Sequence, residues 1–384
     1  MPGRKFKGLK NLLIEADYGL KNGLLNAISS LFFKAFEKNS SISKIIVFRT
    51  GSIGDSICAL PALSAIVGNF PDATIDLLTN AGSADFISLD KLINKSKFNE
   101  IINYYGLSKI ELYKKLQTSQ YDLFIDLTQY DATLSKQLKI LLFAKQLGVK
   151  YAFGWRVSQT FLFKQYQEKN KIFTNERDRL LDILKANGLE IDNPKYIYDQ
   201  NPEISAGVQK IIWDKTLANK NLNIGLVIGS KLERNKWPLD YFKQVADHYT
   251  DQEYRILVFG GKEDRVNAES LTSDNTMHNK RVFNFCGVFS PLETAQAMKF
   301  CAVVLTNDTG PMHLSYMTDT PVVALFSSRD FPGKWYPPQD GVNKVFRSEN
   351  IACSICIGKG CSDNICMKKI SPEKVIEAID AIVN

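Results

Sequence analysis

Two short polar turns carry the residue types that could do chemistry. The first is Gly51-x-x-Gly54-Asp55, with Ser52 inside it, directly after the β-rich run 44–49. Two glycines let a turn bend tightly and leave its backbone open to a ligand. An aspartate at a helix start is held in its ionised form by the N-terminal N–H groups. Such a carboxylate can take the proton of an attacking hydroxyl; it can equally be a plain helix cap, and spacing alone leaves both open. The second turn is Thr306-Asn307-Asp308-Thr309-Gly310-Pro311-Met312-His313-Leu314. Asp308 and Thr309 suit a helix N-cap, Gly310 lets a ligand approach the backbone, and Pro311 suits a first helical turn. Backbone N–H groups at such a turn favour anions, with phosphate as the natural guest, and His313 follows on the first turn. The plain alternative is an ordinary capped helix.

The elements that must position these turns alternate. Apolar runs at 44–49, 73–79, 100–104 and 121–127 read as strands, with helical patterns at about 56–69, 108–119 and 132–147. Asp192-Asn193-Pro194 and Asn201-Pro202 have turn chemistry and mark a boundary. A second series follows, with strands near 222–228, 254–259, 281–285, 302–306 and 321–326. Its helices lie at about 203–217, 239–249, 264–271, 291–300, 311–318 and 372–383. Strand–helix alternation predicts α/β architecture with mostly parallel, doubly wound sheets. The expected domains are 44–198 and 199–384, with a ligand cleft at the C-terminal edges of the two sheets. Residues 1–43 stand before them as a basic and apolar extension. It opens with Arg4, Lys5, Lys7 and Lys10 and contains an apolar helical segment at 24–36. That segment could lie on a membrane surface or pack on the body of the protein. Residues 155–174, aromatic and basic, read as an irregular loop facing a bulky acceptor.

The chain has 384 residues, a net charge of +7 and 45% hydrophobic residues, enough for two cored domains. The charge is asymmetric: residues 1–200 hold 27 Lys and Arg against 20 Asp and Glu, and residues 201–384 hold 21 of each. The excess in the first half fits an anionic partner such as a lipid phosphate or a membrane face, or is simply a solvated surface. No apolar run approaches the ~20 residues that span a bilayer. No signal peptide is evident, so a cytoplasmic protein is expected.

Several chemistries lack their signatures. There is no G-x-G-x-x-G, no G-x-x-x-x-G-K-[ST] and no H-E-x-x-H among three histidines. A G-x-S-x-G elbow is missing as well. No aspartates are spaced i, i+2, so the charge of a leaving diphosphate would be met by helix termini and side chains, without a cofactor. In the second half, Gly229-Ser230 closes a strand, and Arg234 and Lys236 in the following loop are candidate phosphate partners. Gly260-Gly261-Lys262-Glu263 could receive a ribose, with Glu263 accepting from its hydroxyls; either loop could also be a solvated turn. Cys353, Cys356, Cys361 and Cys366 are spaced C-x₂-C-x₄-C-x₄-C. They could form a structural zinc site, or be free or oxidised thiols in a surface loop.

The order of these blocks resembles a known family. Arg49-x-x-Ser52-Ile53-Gly54-Asp55 with Pro61, Gly229 to Pro238, Gly260-Gly261-x-Glu263, Asp308-Thr309-Gly310-Pro311-Met312-His313-Leu314 and the closing cysteines look like glycosyltransferase family 9, the ADP-heptose:lipopolysaccharide heptosyltransferases. The resemblance covers about 44–384. It implies a GT-B fold of two Rossmann-like domains and inverting, metal-independent transfer from a nucleotide sugar, usually ADP-heptose. The acceptor would be an anionic glycolipid of the lipopolysaccharide core, with the inner face of the membrane nearby and no nucleic acid involved. It implies Asp55 as general base beside the glycine turn Gly51, Ser52 and Gly54. Asp308, Thr309 and Gly310 would match the diphosphate turn, His313 its neighbour and Glu263 an acid near the donor ribose, while Ser230, Arg234 and Lys236 are candidate donor contacts from their own loop. One position departs from the pattern. The family usually has a phosphate-binding lysine two residues before Trp-Pro; here that position is Asn235, and Lys236 lies one residue before Trp237. A sugar-nucleotide epimerase or hydrolase of the same fold, or a non-catalytic nucleotide- or lipid-binding protein, are the alternatives.

Overall fold

The computed structural model describes residues 3–80, 88–128, 134–155, 174–216, 220–271, 281–349, 351, 353–356, 361 and 363–383. The chain forms two compact units, residues 1–199 and 200–384.

The first unit is built on a five-stranded parallel sheet. Its strands are β1 (Lys44–Phe48), β2 (Thr74–Thr79), β3 (Glu100–Asn103), β4 (Leu123–Asp126) and β5 (Tyr151–Phe153), in the order β3-β2-β1-β4-β5. The strands are short and apolar because both faces of a parallel sheet are covered by helices. Ile45, Ile46, Val47, Leu77, Leu123, Phe124 and Ile125 are fully buried. The helices are α1 (Gly3–Phe32), α2 (Ile53–Asn69), α3 (Lys109–Gln117), α4 (Leu134–Gln146) and α5 (Glu176–Lys185). α2 is apolar almost all round and accordingly sinks into the unit. The chain order reverses between β1 and β4, which pair with Phe48 opposite Asp126. At that reversal two loops leave neighbouring strands in opposite directions and open a crevice at their carboxyl ends.

The second unit repeats the plan with six parallel strands: β6 (Asn223–Val227), β7 (Arg255–Phe259), β8 (Val282–Asn284), β9 (Val303–Asn307), β10 (Val322–Phe326) and β11 (Lys344–Arg347). Their order is β11-β10-β9-β6-β7-β8, so the reversal falls between β6 and β9, where Val227 faces Thr306. Helices α6 (Pro202–Thr216), α7 (Leu239–Asp251), α8 (Arg265–Ser270), α9 (Pro291–Met298), α10 (Gly310–Met317), α11 (Ile365–Lys368) and α12 (Pro372–Val383) complete it. Trp237, Phe242 and Tyr249 fill the core on the side of α7 and α12.

The structure departs from the sequence reading at a few elements. α2 starts at Ile53, not near residue 56, which places Asp55 inside the first turn and makes Ser52 the N-cap. β5, α5, β11 and the short α11 have no counterpart among the expected elements, and α1 is far longer than the apolar segment at 24–36. Of the expected acceptor loop at 155–174, residues 156–173 lie outside the described residues. Among the described residues no helix is long and apolar enough to cross a membrane.

Candidate active site

In the first unit the site is built on the β1–α2 turn. The Asp55 carboxylate accepts from the backbone N–H and the hydroxyl of Ser52, both at 2.9 Å. This reaches back from the third helical position to the cap and satisfies an N-terminal donor that helices leave open. Gly51 has φ +136°, and a Cβ there would lie 2.3 Å from the Cβ of Asp55 and 2.8 Å from its Oδ2. Glycine is therefore required by the backbone and by the closeness of the carboxylate. The Gly51 N–H donates to Asn80 Oδ1 at 3.2 Å, tying the turn to the end of β2.

Below the turn lies an ion cluster that sequence reasoning missed. Arg49 is fully buried and donates to the backbone carbonyl of Asp55 (2.6 Å), the carbonyl of Leu127 (2.6 Å) and Glu176 Oε1 (3.0 Å). Glu176, also fully buried, accepts from Arg179 as well (2.7 and 2.8 Å), and Arg179 donates to the Thr128 carbonyl at 2.7 Å. The two guanidinium groups hold the Glu176 carboxyl below its ordinary range against the opposing effect of burial. The cluster pins the loops after β1 and β4 to α5. Asp55 is itself 7 % exposed, with Oδ1 3.8 Å from Arg49 Nη2. At the end of β4, burial pushes the Asp126 carboxyl up to about 6, with Thr128 N–H donating to it at 3.0 Å.

In the second unit the loops after β6 and β9 are stitched together by amides. Asn307 Oδ1 accepts from the Trp237 N–H (2.9 Å), and its Nδ2 donates to the Ile228 carbonyl (2.9 Å). Asn235 Nδ2 lies 3.4 Å from both the backbone and side-chain oxygens of Asp308, and Asn235 Oδ1 accepts from Ser327 at 2.8 Å. Asn235 is thus a buried spacer that fixes Asp308. Thr309 is the N-cap of α10, so the Thr309 and Gly310 amides head that helix, with Pro311 in its first turn. Burial and the nearby Asp330 carboxylate push the Asp308 carboxyl up to about 7. Arg329, Lys334 and Arg347 act against that rise, and this cationic set was not among the expected site residues.

The remaining expected residues divide. Ser230 lies in the loop after β6, its hydroxyl accepting from the Leu232 N–H at 3.4 Å. Arg234 sits in the short turn Glu233–Asn235, and Lys236 pairs with Glu233 at 2.7 Å on the surface. His313 is buried rather than facing an opening: Nδ1 meets the Tyr316 hydroxyl at 2.5 Å, and burial lowers its pKa to about 3, so it stays neutral. Glu263 is exposed, while its neighbour Asp264 is buried. A Cβ at Gly229 or Gly260 would come within 2.2 or 2.6 Å of the Asp264 carboxylate, and the Gly261 N–H donates to it at 3.0 Å. The acid enclosed by the glycine loops is therefore Asp264. Cys353 and Cys361 are exposed, Cys366 is buried, and none of these nor Cys356 is in a disulfide. Among the described residues no three Cys, His, Asp or Glu side chains converge as a metal site. A cavity of about 540 Å³ lies at the far end of α2 from Asp55, lined by Phe36, Asn69, Phe70 and Leu189.

The profile of glycosyltransferase family 9 (heptosyltransferase) matches residues 110–366. The chain belongs to glycosyltransferase family 9. Among its relatives, lipooligosaccharide heptosyltransferase 2 of Campylobacter jejuni is 27% identical over 351 residues, 87% of this chain and 96% of the relative. The crystal structure of a family 9 glycosyltransferase from Veillonella parvula superposes with a TM-score of 0.70 at 20% identity, covering 91% of this chain and 99% of that one. Escherichia coli ADP-heptose lipopolysaccharide heptosyltransferase II superposes with a TM-score of 0.62 at 18% identity, over 88% and 98% of the two chains. The fold is GT-B, with two Rossmann-like parallel sheets, and the protein is a glycosyltransferase.

Proposed function

We propose that this chain transfers heptose from ADP-heptose to an acceptor of the lipopolysaccharide core, with inversion and without a required metal. The observation that carries the reading is the placement of two loops. Asp55 and the loop Asp308–Gly310 each lie at the carboxyl end of a strand bordering the chain reversal of its sheet, where doubly wound sheets bind ligands. Family membership and the names of the relatives point to the same substrates.

In this reading Asp55 accepts the proton of the acceptor hydroxyl. The oxygen attacks the anomeric carbon from the face opposite the leaving group, and the bond from that carbon to the diphosphate oxygen breaks, releasing ADP. The negative charge that develops is met by the Thr309 and Gly310 amides, and by Arg329, Lys334 and Arg347. Asp308, with a carboxyl pushed up to about 7 by burial, is protonated in about half of the molecules at neutral pH. It can then donate to a phosphate oxygen instead of repelling it. Ser230, Arg234 and Asp264 line the loops on the ribose side. The acceptor is a membrane glycolipid, and the protein is peripheral on the cytoplasmic face.

The test is ADP release from ADP-heptose with and without a lipopolysaccharide-core acceptor lacking heptose. Acceptor-dependent release with an elongated glycan supports the proposal. Release independent of acceptor would make the protein a hydrolase or epimerase, and no release would make it a binder.

A further inference from the structure

α1 carries an apolar surface that the fold of the first unit does not use. The helix runs from Gly3 to Phe32, about 45 Å at 1.5 Å per residue. One side of its last turns joins the body: Leu25 is fully buried, Ile28 and Phe32 pack on the same core, and Phe33 just beyond stacks on Trp155. Leu13, Leu20, Leu24 and Leu31 do not join it and are between 41 % and 81 % exposed. At 100° per residue these four positions fall within about 40° of one another, roughly a third of a turn away from Leu25. They line one side of the helix from Leu13 to Leu31, with Asp17 at their edge between Leu13 and Leu20.

The net charge of the helix sequence points to its partner. α1 carries Arg4, Lys5, Lys7, Lys10 and Lys21 against Glu15 and Asp17, and Asp17 is engaged by Lys21 at 2.6 Å. Where the helix ends, exposed Lys34 follows, and Lys145 of α4 sits 5.6 Å from the centre of the Phe32 ring. Leu142, one turn earlier on α4, is exposed as well. A leucine stripe on a cationic helix is suited to lie at a bilayer surface, its leucines among acyl chains and its cations among anionic headgroups. A second copy of the helix would bring the same excess of positive charge against itself.

We propose that the stripe Leu13, Leu20, Leu24 and Leu31 seats the first unit on an anionic lipid bilayer. This rests on the reading above that the acceptor is a membrane glycolipid, and names the surface that meets the membrane. The experiment is co-sedimentation of the full chain with vesicles of phosphatidylcholine alone and of phosphatidylcholine with phosphatidylglycerol. The wild type is expected to sediment with the phosphatidylglycerol vesicles at least about tenfold more strongly than with phosphatidylcholine. L13S/L20S/L24S/L31S is expected to lose that binding while keeping the wild-type melting temperature and turnover of a delipidated acceptor. A wild type that stays in solution, or a variant that sediments as well as the wild type, overturns the proposal. So does light scattering that shows the substitutions converting a dimer to a monomer with vesicle binding unchanged. Failure of the wild type to turn over a delipidated acceptor would defeat the transferase reading, while vesicle binding would still decide this one.

Discussion

Arg49 donates a 2.6 Å hydrogen bond to the backbone carbonyl of Asp55, six residues later, from a position with no exposure to solvent. The same guanidinium reaches Leu127 and Glu176. The proposed base thus rests on a buried ion cluster that also holds the loop after β4. Removing one member of a buried cluster costs far more than a surface pair, because the partner charge is left without compensation. Glu176→Gln is expected to destabilise the protein by about 3–5 kcal/mol in urea denaturation at pH 7. The Glu176 carboxyl is held below its ordinary value of 4.5, so its contribution is full above that value and is lost as pH falls through the lower folded one. The gap between wild type and variant should therefore close in acid.

Gly51→Ala tests how tightly the turn holds the carboxylate. The added methyl would collide with Asp55, and the alanine backbone would have to adopt φ +136°. Displacement of a reacting group by about 1 Å can cost 10²-fold in rate. We expect kcat to fall by about that factor with ADP affinity unchanged, since the loops proposed to hold the donor belong to the other unit. Equal losses in kcat and in ADP binding would place Gly51 outside this role.

Asp308 supplies a pH dependence. Its folded pKa, about 7, lies above the ordinary 3.8, so its favourable contribution is full below 3.8 and is lost as pH rises through 7. Asp308→Asn should gain stability relative to the wild type between pH 4 and 8, read as a rising difference in melting temperature. If the protonated acid contacts the diphosphate, wild-type ADP affinity should fall by up to about tenfold per pH unit above 7 relative to the variant. ADP's own ionisation is common to both proteins and cancels. Parallel pH profiles would remove Asp308 from the phosphate site.

Much of the fold was legible because parallel strands buried on both faces read as continuous apolar runs, as at 44–48, 223–227 and 322–326. β5 has three residues, too short to show a pattern, and α5 begins with a charged run, Glu176-Arg177-Asp178-Arg179, that shows no apolar periodicity. The turns bearing Asp55 and Asp308 were visible because glycine, aspartate and proline there obey local backbone rules. Their supports were not. Arg49 meets Glu176 across 127 residues, and Asn235 meets Ser327 across 92, distances that no local pattern encodes. The choice between Glu263 and Asp264 depends on which acid a short 3₁₀ turn directs beneath Gly229 and Gly260, and His313 reads as a site residue until its burial beside Tyr316 is seen.

The central claim is that the Asp55 carboxylate removes the acceptor proton, and Asp55→Asn tests it most directly. Asparagine keeps the shape and can still accept from Ser52, so the turn should survive. General-base catalysis contributes about 10²–10⁴-fold. The account predicts a loss of kcat in that range, with the ADP dissociation constant by calorimetry within about threefold of wild type, measured at a temperature where both proteins are folded. A variant that retains kcat within a few-fold of the wild type would contradict it.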